Sequence, residues 1–182
     1  MTTYICLLRG INVSGHKLIK MKELQQMFVS IGMSEVTTYI QSGNIVFKTN
    51  QGNIVQLTAD IRNGILSTFG FDVYTLLIEA KELLRLFKAN PFVTNTSFEI
   101  EKMLLTLLSE EPAKDKCDAF AVGNYGQDKY IIQDKALYLY CEDGYGKTKL
   151  SNNFIESKLK INATTRNWKT ITELLKISKV LE

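Results

Sequence analysis

Hydrophobic and polar positions in the first 79 residues follow strand and helix periods in turn. Thr3 to Leu8 is a β-branched and apolar run that predicts a buried strand. Apolar residues recur at helical spacing over 21–31 and again over 54–69, which predicts two amphipathic helices. Three further strands are predicted at Glu35 to Gln41, Asn44 to Lys48 and Asp72 to Ile78. The resulting order is β-α-β-β-α-β, the pattern of a ferredoxin-like sandwich.

The second half repeats part of this pattern. A helix over Glu79 to Lys88 ends before Asn90-Pro91, and Asn90 to Phe98 is a candidate hinge. Beyond it the pattern predicts a strand (101–108), a short helix (112–117), a hairpin (130–141) and two closing helices. We therefore predict an α+β fold with a ferredoxin-like half, 1–90, and a smaller related half, 91–182, packed on the first.

Composition narrows the class of protein. The chain has 182 residues, 45% of them hydrophobic, so it can bury a core, and it is neither disordered nor collagen-like. Its net charge is only +3, but the part from Tyr145 onward has eight Lys and Arg against three Glu. Cys6, Cys117 and Cys141 fit buried free thiols in a reducing cytoplasm. No apolar stretch reaches the ~20 residues of a membrane span, so we expect no membrane partner.

Candidate chemistry lies in three polar signatures beside helix ends or glycine turns: Leu8-Arg9-Gly10-Ile11-Asn12, Tyr39-Ile40-Gln41-Ser42-Gly43-Asn44 and Ala163-Thr164-Thr165-Arg166-Asn167-Trp168-Lys169-Thr170. Lys147 and Lys149 add cations before a predicted helix, whose free N–H groups favour an anion. The candidate ligand-binding residues are Arg9, Asn12, Lys17, Gln41, Ser42, Asn44, Lys147, Lys149, Arg166, Asn167 and Trp168.

Each candidate also has a structural interpretation. Asn167 or Thr165 fits the N-cap of the last helix with Trp168 as its hydrophobic staple, and an internal carboxylate is the commoner partner for Arg9. The turn around Ser42 is not placed relative to Arg9 by sequence alone. The single histidine, His16, excludes acid-base catalysis by a pair of histidines, and no Cys or His spacing fits zinc. No catalytic residue, reaction or cofactor is predicted, which leaves enzyme activity and oligomeric state open.

The leading hypothesis is that a small anionic ligand, a phosphate ester or nucleotide, binds between the two halves. Arg166 would provide a fork-shaped donor and Trp168 a stacking surface. The alternative is a nucleic-acid-binding module that uses Tyr130, Tyr138 and Tyr140 as stacking platforms, although the last two also fit a core. A further alternative is an oligomeric interaction protein without a ligand.

Five ordered blocks carry a family resemblance: Leu7-Leu8-Arg9-Gly10-Ile11-Asn12-Val13, Tyr39-Ile40-Gln41-Ser42-Gly43-Asn44, Asn90-Pro91-Phe92, Lys147-Thr148-Lys149-Leu150 and Ala163-Thr164-Thr165-Arg166-Asn167-Trp168. With these blocks the chain resembles the bacterial domain-of-unknown-function 1697 family over nearly its whole length. Ser14 and Lys147-Thr148 stand where that family often has Gly and Arg-Ser. The resemblance implies a two-part α+β fold and no particular activity.

Overall fold

The computed structural model describes residues 1–94 and 97–181 and divides the chain into two compact units. The first comprises Met1–Arg85 together with Glu173–Glu182, and the second comprises Leu86–Thr172. The unit boundaries fall inside two helices. The predicted halves, 1–90 and 91–182, stay a prediction. Part of the proposed hinge, residues 95 and 96, lies outside the described residues.

The first unit confirms the predicted β-α-β-β-α-β order and the helix that was predicted to follow it. Its four strands form one antiparallel sheet in the order β2-β3-β1-β4. The elements are β1 (Thr2–Arg9), α1 (Met21–Ser30), β2 (Ser34–Tyr39), β3 (Asn44–Thr49), α2 (Ile54–Phe69), β4 (Tyr74–Glu79) and α3 (Ala80–Lys88).

One face of this sheet packs against α1 and α2, which explains the apolar rows read from the sequence. Leu24 and Phe28 of α1 and Leu57 and Ile61 of α2 are fully buried. Gly64 lets the two helices approach closely, since a Cβ there would lie 2.7 Å from the sulfur of Met27. Gly64, a weak helix former, thus leaves room for the Met27 side chain, which would have to shift if a larger residue stood there.

The second unit has its own four-stranded antiparallel sheet in the order β6-β7-β5-β8, which matches the first sheet strand for strand. A short 3₁₀-helix (Ile100–Lys102) precedes it. Its elements are β5 (Met103–Leu108), α4 (Lys114–Ala121), β6 (Lys129–Gln133), β7 (Ala136–Tyr140), α5 (Asn152–Leu159), β8 (Ala163–Asn167) and α6 (Trp168–Ile177).

The sequence pattern does not predict strand β8. With this strand, the second half repeats the β-α-β-β-α-β order of the first half more completely than we predict from the sequence. The segment 163–167 is polar, and its sequence pattern predicts only the approach to the last helix. In the structure it pairs along β5, and the Thr165 hydroxyl bonds both Thr106 (2.7 Å) and Asn152 (2.6 Å). Because neighbouring polar groups satisfy the buried Thr165 hydroxyl, this polar residue is accommodated in the edge strand.

Two expectations from composition can be compared with the structure. Cys6 and Cys141 are buried and form no disulfide, as predicted, whereas Cys117 is only half-buried; burial raises the pKa of Cys141 to about 11. Every helix within residues 1–94 and 97–181 is too short or too polar to span a bilayer.

Candidate functional site

Three connecting segments meet at one edge of the first sheet. The antiparallel register pairs Leu7 with Asn44 and Arg9 with Tyr74. The end of β1, the β2–β3 loop and the start of β4 therefore share this edge. We call it the Arg9 edge and define it as residues 9–23, 40–44 and 70–74.

Asn12 holds two of these segments together. Its Nδ2 donates to the carbonyl oxygens of Ile19 (3.0 Å) and Gln41 (2.8 Å), and its Oδ1 accepts from the backbone N–H of Ile19 (2.8 Å). The residue adopts a left-handed φ of 54°, which Asn tolerates better than most side chains. Asn12 thus positions the loop instead of presenting its amide to a ligand.

The β2–β3 loop lies beside Arg9, a placement that the sequence left open. Asn44 is fully buried, and its Nδ2 donates to the Tyr39 carbonyl oxygen (3.1 Å) and to Ser42 Oγ (2.9 Å). The Gly43 carbonyl oxygen accepts from the N–H of Leu8 (2.8 Å). Ser42 and Asn44 therefore build the loop, whereas the Gln41 side chain is exposed at its surface.

Lys17 connects the loop to the third segment. Its Nζ donates to the backbone carbonyl oxygen of Asp72 (2.6 Å). The Asp72 carboxylate pairs with Arg62 (2.6 Å), and this guanidinium, followed by other groups including Lys17, lowers the pKa of Asp72. Since one carboxylate faces two cations, this part of the Arg9 edge keeps a positive charge.

The N-terminus of α1 opens onto the same edge, and the sequence interpretation did not include it in the site. Lys20 occupies the N-cap position with no side-chain capping hydrogen bond, and Lys22 lies in the first turn. Glu23, at the N3 position, pairs with the Lys20 ammonium (3.1 Å). Helices normally start with Ser, Thr, Asp or Asn, so cations around uncapped N–H groups are an arrangement suited to an anion. The sequence does carry a signal for this feature, because a lysine at the N-cap position, here Lys20, cannot accept a hydrogen bond from the helix N–H groups.

The cations predicted before α5 have a different setting. Lys147 and Lys149 are exposed, but Ser151 caps α5 by accepting from the N–H of Phe154 (3.3 Å). The preceding loop is organised around the Asp128 carboxylate, which accepts from the Glu142 N–H (3.0 Å) and from the Thr148 hydroxyl (2.5 Å). A carboxylate and a serine oxygen thus already satisfy N–H groups of this loop and helix.

The last signature is largely structural. Asn167 caps α6 by accepting from the N–H of Thr170 (2.8 Å), which confirms the N-cap interpretation. Trp168 is 4% exposed and stacks on Phe87, with ring centroids 4.4 Å apart. Arg166 donates from Nη1 to the carbonyl oxygen of Thr165 (3.0 Å). A buried indole that stacks on Phe87 offers no free face to a base.

The tyrosines considered as stacking platforms are mostly core residues. Tyr138 is fully buried and donates to the Leu86 carbonyl oxygen (2.8 Å), and Tyr140 is 3% exposed. Tyr130 packs edge-on against Phe120, with centroids 4.9 Å apart.

In the described part of the chain, no group of three or more His, Cys, Asp or Glu is placed to hold a metal ion.

Sequence similarity assigns the chain to a protein family whose function is unknown. The family model described as "Protein of unknown function (DUF1697)" matches residues 1–138, and the chain belongs to this family. The match includes the Arg9 and Ser42 signatures and ends before the blocks at 147–150 and 163–168.

A solved structure supports the fold over nearly the whole chain. The conserved bacterial protein SP0830 from Streptococcus pneumoniae is similar with a TM-score of 0.77 and 22% sequence identity, covering 97% of this chain and 98% of that one. No curated protein matches the sequence.

Proposed function

We propose that the protein binds a small anionic ligand, such as a phosphate ester or nucleotide, at the Arg9 edge. The observation that carries this proposal is the start of α1, where Lys20 and Lys22 surround N–H groups that no side chain caps. A helix N-terminus carries roughly half a positive charge, and Glu23 neutralises only one of the two lysines beside it, so a further anion is favoured there.

The charge of neighbouring segments adds to this field. Residues 1–22 contain Arg9, Lys17, Lys20 and Lys22 and no Asp or Glu. The nearby carboxylates, Glu23 and Asp72, each face at least as many cations as they can neutralise. A local excess of positive charge attracts phosphates and raises their local concentration.

The rigidity of the edge supports binding as well as attraction. Asn12 fixes the loop through three hydrogen bonds, and Lys17 anchors the loop to the segment before β4. Groups that are already positioned lose less conformational entropy when a ligand arrives. Gln41, exposed beside them, is available to donate to a polar group of the ligand.

The position between the halves, which the sequence suggested, stays a prediction. We favour the Arg9 edge because the helix N-terminus at the second predicted position is already capped by Ser151, and its loop is closed by Asp128. Lys147 and Lys149 therefore offer a ligand only their charge.

Thermal-shift measurements with phosphate, sugar phosphates and nucleotides test the proposal. A ligand at 100 times its Kd adds about 2.7 kcal/mol of stability, which corresponds to a rise in Tm of roughly 5–10 °C for a chain of this size. The variant K20Q/K22Q should lose most of this shift.

The matched control is K147Q/K149Q, which removes the same charge from the second unit. It should keep the full shift, because these lysines lie outside the Arg9 edge. Equal losses in the two double variants would mean that only net charge matters. The absence of any shift across the panel would refute the proposal itself.

A further inference from the structure

The Arg9 edge exposes aliphatic side chains among its cations. Val13 is 58% exposed, Leu18 67% and Ile40 50%. Val13 and Leu18 lie in the loop after β1, and Ile40 lies in the β2–β3 loop, which Asn12 ties to the first. Single exposed aliphatic residues are ordinary, but three on adjoining loops form a patch that favours an interaction.

The local backbone presents this patch on a projecting tip. Val13 and His16 form an isolated antiparallel bridge, with a hydrogen bond from the His16 N–H to the Val13 carbonyl oxygen (2.9 Å). Ser14 and Gly15 both have positive φ, 50° and 76°, as a tight two-residue hairpin turn requires. All residues from 13 to 18 are exposed. A small projecting hairpin of this kind is suited to inserting into a deformable surface. It is less suited to holding a peptide segment of a partner protein.

The surrounding chemistry selects among possible partners. Single-stranded nucleic acid is held mainly by stacking on aromatic side chains, whereas the exposed apolar side chains of this tip, Val13 and Leu18, are aliphatic. An aliphatic tip flanked by Lys17, Lys20 and Lys22 matches an anionic lipid surface. There, apolar side chains enter the boundary between headgroups and acyl chains, and lysines meet phosphates.

We propose that the Arg9 edge docks the protein on an anionic lipid surface. Val13, Leu18 and Ile40 enter the interface, and Lys17, Lys20 and Lys22 hold lipid phosphates. The inference rests on the proposed anion site, because the same lysines provide the charge. Our sequence expectation of no membrane partner was based on the lack of a spanning segment, and surface docking needs none.

Sedimentation with vesicles tests the docking. The protein should bind mixed phosphatidylglycerol and phosphatidylcholine vesicles at low salt, release them at high salt, and ignore phosphatidylcholine alone. The variant V13S/L18S leaves every charge in place and should weaken binding by about tenfold or more, because two side chains no longer leave water. The control V122S removes an aliphatic side chain that is 86% exposed in the second unit, and it should bind as the wild type does.

The outcomes separate this inference from the proposed function. Phosphate-induced thermal stabilisation that persists in V13S/L18S while vesicle binding falls supports both. Thermal stabilisation without any vesicle binding overturns the docking alone, as does vesicle binding that V13S/L18S leaves unchanged. If the wild type shows neither thermal stabilisation by phosphate nor vesicle binding, both the anion site and the lipid docking are refuted.

Discussion

Replacing Lys20 by serine separates stability from anion binding at the N-terminus of α1. In the wild-type chain the N-cap side chain cannot accept a hydrogen bond, and Glu23 already occupies the N3 position. The substitution K20S would complete the Ser-x-x-Glu pattern of a capping box, in which each side chain bonds the other residue's backbone N–H. The helix gains a cap, and the anion site loses one cation and part of its free N–H groups.

The magnitude follows from the two interactions that change. A serine N-cap contributes about 1 kcal/mol relative to a residue that cannot cap. The Lys20–Glu23 pair that is lost has side chains 82% and 49% exposed, and pairs this exposed contribute about 0.3–0.5 kcal/mol. The net gain is about 0.5 kcal/mol, or a rise in Tm of about 1–2 °C for a chain of this size.

Differential scanning fluorimetry with and without phosphate measures both effects. K20S should melt at a higher temperature than the wild type and gain less from phosphate. K20Q is the matched control, since it removes the charge without adding an N-cap; its phosphate response should fall less than that of K20S, and its Tm should not rise. A K20S variant that melts lower than K20Q would refute the capping argument, and a full phosphate response in both would refute the anion site.

Three further predictions concern other positions. Thr164 is fully buried, and its hydroxyl has no partner among the described residues, so T164V should raise the free energy of unfolding in urea by about 1 kcal/mol; a loss of stability would contradict this. G43A should lower it by about 2 kcal/mol or more, because the new Cβ would lie 2.6 Å from Leu8 Cβ at a φ of +76°; an unchanged urea midpoint would show that the loop can move. The pKa of Asp72 is lowered by Arg62, so its contribution is present above the unfolded pKa and is lost as pH falls through the folded value. D72N should therefore be less stable than the wild type at pH 6, and this difference should shrink toward pH 3; a constant difference would exclude the ion pair as its cause.

The elements of the first unit were readable because burial there follows simple periods. The row that includes Leu57, Ile61 and Ile65 faces the core along α2, so the hydrophobic pattern alone places that helix correctly. Strand β8 could not be predicted from the hydrophobic pattern. Its residue Thr165 is buried because its hydroxyl forms hydrogen bonds to Thr106 and Asn152, which are distant in sequence. A pattern of apolar residues carries no signal for a strand that is stabilised in this way.

The candidate site was predicted in part. Arg9, Asn12 and Gln41 were selected as polar residues near turns, and the structure places them at one edge. Their roles differ in a way that composition does not show, because Asn12 turns inward to hold the loop. Ser14 illustrates the same limit: its positive φ explains why a glycine suits that position, yet serine occupies it here.

The most direct test of the Arg9 edge is a titration of the protein with inorganic phosphate, followed by backbone amide NMR. Binding at this edge predicts saturable shifts of the N–H resonances of Met21, Lys22 and Glu23, the first turn of α1, with little change at Lys147 and Lys149. Shifts that are confined to 147–149, or that never saturate anywhere, would contradict a phosphate site at the start of α1.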